Sequence, residues 1–261
     1  MTATAAVDGR PVRVYKLGGP ALEDESLVPA LASDIRRSAG PAMLVHGGGR
    51  RVDAALAARG LESRFVDGRR ATSEAAMEVV EMVLSGLVNK RLAAALTAAG
   101  VPAVGLSGRD GGLMRARLLP GLDRVGTAVE VRTEPLAALW RAGLLPVVSP
   151  VSEGPDGGAV NVNADEAALG LARAVGARSL VYLSDVDGVR VGETAVASLG
   201  ADEMEGHLAD GTIAGGMALK VRVALEASRA GIPEVVIAGR ARLEGGFPGT
   251  RIASASVLSA S

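Results

Sequence analysis

Short apolar runs alternate with amphipathic stretches along the whole chain. Residues 11–17 (PVRVYKL) and 42–46 (AMLVH) are compact, mostly apolar and followed by glycine, which predicts buried strands. Between them, residues 26–38 (SLVPALASDIRRS) space their apolar positions as a helix does. Residues 72–100 carry that spacing over a long stretch, with an interruption near Gly86 and a C-cap at Gly100. Strands follow at 102–108, 114–118 and 126–132, the last two as a hairpin. A helix over 134–143, a buried strand over 144–151 and a helix over 164–176 continue the alternation. A strand with a tight turn at 179–189, a helix over 219–231 and a strand over 234–239 complete it. Strand–helix alternation with apolar strands predicts an α/β fold with a mainly parallel sheet covered on both faces. The stretch 153–158 (EGPDGG) is the most loop-like and is expected to hinge two lobes; residues 1–9 and 254–261 are expected to fray.

Composition narrows the function. A chain of 261 residues is long enough for one large domain or two fused lobes. Its formal charge of −1 gives no general attraction to nucleic acid or anionic membrane, and an aromatic content of 2% argues against a base-stacking surface. There is no cysteine, so disulfides and thiolate metal sites are excluded, and His46 and His207 are too few for a typical zinc site; no metal centre is expected. No apolar run reaches the roughly 20 residues of a membrane span, and the first ten residues lack a signal peptide's apolar core. The expectation is a soluble cytoplasmic protein.

Within this frame Lys16 is conspicuous: a cation at the end of a core strand, separated only by Leu17 from Gly18 and Gly19. VHGGGRR ends a strand on three glycines and opens a helix. That is either a tight turn or an anion site of backbone N–H groups. It lacks the signatures of a dinucleotide fingerprint or a P-loop. Arg69 and Arg70 precede a helix that Thr72 could cap, as solvated charges or as carboxylate ligands. Asn161, Asn163 and Asp165 alternate into a helix. Asn163 and Glu166 would make a capping box, or the polar side chains converge on one spot. Asp185, Asp187 and Gly188 read as an Asp-Gly turn or as a nucleotide-contacting loop at a parallel sheet's C-terminal edge. Gly215 and Gly216 open a helix that carries a second cation, Lys220.

KLGG, VHGGG, GRRAT, GLSGRDGG, NVNAD, LSDVDGV and GGMALKV, in this order and spacing, resemble the amino acid kinase family from about Val12 to Ile252. Within it the chain is most similar to the members that phosphorylate N-acetyl-L-glutamate for arginine biosynthesis. The resemblance implies an open αβα sandwich with two lobes. Residues 1–170 would bind N-acetyl-L-glutamate and form a homodimer, and residues 171–261 would bind ATP, with Mg²⁺ carried by the nucleotide. It implies that Lys16 and Lys220 stabilise the transferring phosphoryl group and that Asp165 orients both. Gly18, Gly19, Gly47 and Gly48 would donate backbone N–H groups near the phosphates and the acyl substrate. Arg70 would grip the substrate's α-carboxylate with Asn161 as its partner. Asp185, Val186, Asp187, Gly188, Val189 and Arg190, with Thr212, Ile213 and Ala214, would contact the nucleotide.

Two positions depart from the family pattern, Pro20 after the glycine pair and Arg69 where an apolar residue is usual. The second opens an alternative: a kinase acting on aminoadipate or glutamate linked to a small acidic carrier protein, docked on Arg50, Arg51, Arg69 and Arg70. A non-catalytic nucleotide-binding regulator is the reading of a different class, and retention of both lysines and Asp165 argues against it. About a dozen residues precede the first strand, too few for the extra helix of the arginine-inhibited members, so the expectation is a homodimer without arginine feedback.

Overall fold

The computed structural model describes residues 10–253 except 25, 39, 67, 193 and 247; the two ends expected to fray lie outside the described residues. An eight-stranded sheet runs, in spatial order, Ser198–Gly200, Thr250–Ala253, Glu234–Ala238, Ser179–Leu183, Arg13–Leu17, Ala42–His46, Leu145–Ser149, Ala103–Ser107. Its neighbours are parallel except for Glu234–Ala238 against Thr250–Ala253.

The two-residue period of each strand sorts its side chains between two cores. Val12 and Val14 join Val45, Leu180 and Ile237 under the helices Ala164–Ala174 and Gly215–Arg229. Tyr15 and Leu17 join Leu44, Val181 and Val236 under the helices Leu27–Arg37 and Asn89–Ala98. Lys16 is in phase with Val14, so it faces the Ala164–Ala174 helix. That phase decides which acid it can meet.

The long helix expected over 72–100 spans Glu74–Ala98, and its interruption is a widened π-helical segment, Met82–Val88, that contains Gly86. Ser73, not Thr72, is its N-cap: Ser73 Oγ accepts from Ala76 N at 3.3 Å. Met114–Leu118 and Val125–Val131 pair antiparallel as expected and, with Val151–Glu153 and Ala159–Val162, close a small barrel. The expected hinge at 153–158 is instead the turn of an antiparallel hairpin, closed by Gly154 N to Gly158 O at 2.8 Å and clamped by Arg124 to Asp156 at 2.7 Å. The sheet passes from N-terminal to C-terminal strands where Arg13–Leu17 pairs with Ser179–Leu183, and the helix Ala164–Ala174 spans the expected 170/171 boundary.

Candidate active site

Register places the site. Leu17 pairs with His46 on one side and Leu183 on the other, and Leu183 pairs with Ala238. The next residues, Gly18, Gly47, Ser184 and Gly239, therefore line one edge, at the C-terminal ends of parallel strands where ligands collect in open α/β sheets. The ladder extends one residue further, with Gly18 N donating to Leu183 O at 3.2 Å and Gly47 N to Leu17 O at 2.9 Å. These two N–H groups, expected as ligand donors, are spent on the sheet. Gly19 and Gly48 follow them. Gly48 precedes the helix Gly49–Ala57, which has no side-chain cap and so presents open N–H groups. The two turns abut closely: a Cβ on Gly19 would lie 3.3 Å from Gly49 N. A Cβ on Gly48 would lie 2.8 Å from Leu84 Cδ2, so this glycine also admits the π-helical segment.

Lys16 is 5% exposed and its Nζ lies 2.7 Å from Asp165 Oδ1. Asp165 stands in the first turn of Ala164–Ala174, which Asn163 caps by accepting from Asp165 N at 2.8 Å and Glu166 N at 3.4 Å. The expected capping box is only half present, because the Glu166 side chain pairs with Arg69 instead. Burial is the main cause that raises the Glu166 carboxyl, against the neighbouring Arg69 guanidinium. Asp165 pairs with Lys16, while Lys220 takes other partners: its Nζ donates to Ser184 Oγ at 2.7 Å and lies 3.7 Å from Asp185 Oδ1. The ammonium of Lys220 thus sits at the end of the strand beside that of Lys16.

A cleft of about 130 Å³ opens beside the second glycine turn and is lined by Gly47, Gly48, Arg70, Asn161, Leu84 and Phe65 among others, so four predicted substrate residues meet there. Arg70, on the strand Arg69–Ala71, is buried and held by Asp53, Ser63 and Gly49 O, with Phe65 stacked 4.6 Å below its guanidinium. Hydrogen bonds from Arg70 and Ser63 outweigh burial and lower the Asp53 carboxyl. A guanidinium has five donors, so Arg70 is fixed yet keeps capacity for a ligand carboxylate. Asn161 Nδ2 donates to Thr72 Oγ1 at 3.0 Å, which fixes its amide in the cleft wall.

Past the strand Ser179–Leu183, where nucleotide contacts are expected, Ser184 donates to Asp185 Oδ1 at 2.8 Å, and that hydrogen bond is the leading cause that lowers the Asp185 carboxyl. Val186 and Asp187 fold against Gly239, where a Cβ would lie 2.9 Å from Asp187 Cα. Gly188 leads to buried Val189, whose N–H donates to Thr250 Oγ1 at 2.8 Å, and Arg190 begins the exposed strand Arg190–Val191. Thr212 N is held by Asp210 Oδ1 at 2.8 Å, Ile213 is buried with its N–H on His207 O at 2.9 Å, and Ala214 caps the helix of Lys220. Ser184 was not legible as a site residue in the sequence. Its signal is positional: the first residue past a buried strand on the edge that Gly18 and Gly47 share.

Known proteins resemble this chain in sequence and in fold. The family model described as "Amino acid kinase family" matches residues 11–239. The chain is 45% identical over 243 residues to an acetylglutamate kinase of Rubrobacter xylanophilus, covering 92% of this chain and 94% of that one. It is 44% identical to an acetylglutamate kinase of Roseiflexus sp., covering 89% and 90%. Among solved structures, smu.665 of Streptococcus mutans superposes with a TM-score of 0.80 at 23% identity, covering 92% and 98%, which speaks to the fold alone. Sheet, glycine turns and matched sequence lead to one conclusion: the chain belongs to the amino acid kinase family.

Proposed function

We propose that the protein transfers the γ-phosphoryl group of ATP to the γ-carboxylate of N-acetyl-L-glutamate, giving an acyl phosphate for arginine biosynthesis. The observation that carries this is the buried 2.7 Å pair of Lys16 and Asp165 at the sheet edge, between the glycine turns, in a chain 45% identical to an acetylglutamate kinase. Phosphoryl transfer through a loose transition state asks the protein mainly for positioning and charge neutralisation. In this reading Arg70 and Asn161 hold the amino-acid end of the substrate in the cleft, and its side-chain carboxylate attacks phosphorus in line. Lys16 neutralises the transferring oxygens from the N-terminal side and Lys220 from the nucleotide side, with Gly19 and Gly48 adding N–H donors. A carboxylate is already nucleophilic at neutral pH, so no strong base is required.

Residues 1–170 supply the acyl-substrate half and 171–261 the nucleotide half. Mg²⁺ fits this chain as a passenger on the ATP phosphates: Asp165 is committed to Lys16 and Asp185 to Ser184 and Lys220. Among the described residues no group of three or more acidic, imidazole or thiol side chains could hold a metal ion. The carrier-protein alternative loses much of its basic rim, because Arg69 pairs with Glu166 and Arg70 is buried on Asp53.

A homodimer is part of the proposal. The strand Ala103–Ser107 is an open sheet edge, and Met82 and Leu87 on the π-helical segment are 51% and 40% exposed, an apolar surface suited to a second copy. No helix among the described residues is long and apolar enough to cross a membrane. The test is acyl-phosphate formation from Mg-ATP and free N-acetyl-L-glutamate.

A further inference from the structure

Beneath the second glycine turn lies a buried polar pair that the phosphoryl chemistry does not use. His46 ends the strand Ala42–His46 and Asn89 opens the helix Asn89–Ala98; both are 0% exposed. The Asn89 amide has one orientation. Its nitrogen lies 2.9 Å from Val147 O and 3.2 Å from Leu106 O, and only an NH₂ satisfies two carbonyls. Its oxygen accepts from Lys90 Nζ at 3.1 Å and occupies the space that a Cβ would take at Gly105.

The same NH₂ lies 3.0 Å from His46 Nε2. The two amide hydrogens serve three neighbours, one of them shared, and an amide nitrogen has no lone pair with which to accept an Nε2–H; Nε2 therefore faces it with its own lone pair, and the ring proton of the neutral imidazole is on Nδ1. Nδ1 lies 2.8 Å from Gly47 O and donates to it. In a trans peptide the C=O and the following N–H point in opposite directions. Drawing Gly47 O toward His46 therefore turns Gly48 N–H away from the ring. Gly47 N–H is bonded to Leu17 O at 2.9 Å, so the turn is pinned from both sides.

We propose that His46 and Asn89 are positioning residues: Asn89 selects the Nδ1-protonated tautomer of His46, and that imidazole orients the Gly47–Gly48 peptide so that Gly48 N–H is presented to the anionic group at the reaction centre. What Gly48 meets rests on the kinase reading; the tautomer does not.

The chain has two histidines, so a His207→Gln variant leaves His46 as the sole imidazole. A long-range ¹H–¹⁵N correlation spectrum at pH 7 is expected to show one neutral ring protonated at Nδ1. Adding Asn89→Ala is expected to give a mixture of tautomers. An Nε2-protonated or doubly protonated ring with Asn89 in place overturns the proposal. Kinetics give a second reading. In His46→Asn the side-chain NH₂ can still reach Gly47 O, and kcat is expected to stay within about threefold of wild type. In His46→Phe, which keeps bulk but has no donor, kcat is expected to fall about 10- to 100-fold at unchanged KM for ATP, the scale of a small misplacement at a reacting centre. Wild-type kcat in His46→Phe overturns the proposal. Should that variant fail to fold, the tautomer decides. Absence of turnover in the wild-type protein counts against the kinase reading, and the tautomer still decides this one.

Discussion

Lys16 and Lys220 carry the same proposed duty in different surroundings, and that difference separates two effects of their removal. Lys16→Ala and Lys220→Ala are each expected to lower kcat by about 10²–10³ with little change in KM, the usual loss for one electrostatic contact to a transition state. Their stabilities should diverge. Lys16→Ala leaves Asp165, 7% exposed, without its partner, and stranding one member of a buried pair costs about 3–5 kcal/mol. The side chain of Lys220 is 24% exposed, and its loss should cost about 1 kcal/mol or less. Thermal melts beside steady-state rates read both quantities, and equal melts would put the Lys16–Asp165 pair in doubt. Arg70→Ala is expected to raise KM for N-acetyl-L-glutamate and spare that for ATP, because Arg70 lines the cleft proposed for the acyl substrate; the opposite pattern would remove it from that site. His46 gives a pH signature. Burial pulls its imidazole down to about 4, with Lys90 adding to the effect. Between about 6.5 and about 4 the unfolded chain binds a proton that the folded one refuses, so stability falls as pH falls through that window, by about 3 kcal/mol in all. Melting temperature against pH should be flatter in His46→Asn; identical slopes would contradict the neutral buried ring.

The helix from Glu74 to Ala98 shows how far periodicity reads an element. Helical spacing and the closing Gly100 were legible, and so was a disturbance near Gly86. Its form was not, because a π-helical widening shifts side chains around the axis without breaking the apolar pattern. The widening has consequences at the site: Leu84 lies against Gly48, and Ser85 Oγ meets Ser149 Oγ at 2.7 Å. Gly48→Ala should therefore destabilise by about 1–3 kcal/mol through overpacking. Combined with Leu84→Ala it should cost less than the sum of the two single changes, since the collision is gone. Strict additivity in denaturant melts would show that Gly48 is needed for something other than Leu84. Capping was read less well, for a physical reason. Thr72 and Ser73 are adjacent and equally able to cap, and Thr72 is claimed by Arg70 O and Asn161. Glu166 had a local role available and took a distant partner, Arg69, which no local pattern reveals.

At the scale of the whole molecule, strand periodicity and register assemble the site. Val14 in the core fixes Lys16 on the face of the helix that carries Asp165, and the shared register of Leu17, His46 and Leu183 aligns the turns that follow. The alternation of strands and helices and the motif residues were therefore enough to anticipate the sheet and the meeting of Gly47, Gly48, Arg70 and Asn161 in one cleft. The small barrel and the 153–158 hairpin were not legible, since strands as short as Val151–Glu153 carry too few residues for a pattern. Nor was Asp185 as the partner of Lys220, which depends on how the turn after Leu183 folds. The open edge at Ala103–Ser107 and the exposed Met82 and Leu87 lead to the expectation of a dimer by light scattering, shifted toward monomer by Leu87→Glu; a monomeric wild type would contradict it. The proposed reaction depends most on Lys16. The direct measurement is hydroxylamine trapping of the acyl phosphate made from Mg-ATP and free N-acetyl-L-glutamate, with wild type and Lys16→Ala side by side. The predicted result is a hydroxamate signal that requires the amino acid and nearly vanishes in the variant. A folded, ATP-binding wild type that gives no signal, or a Lys16→Ala variant that gives it at full rate, would contradict the account.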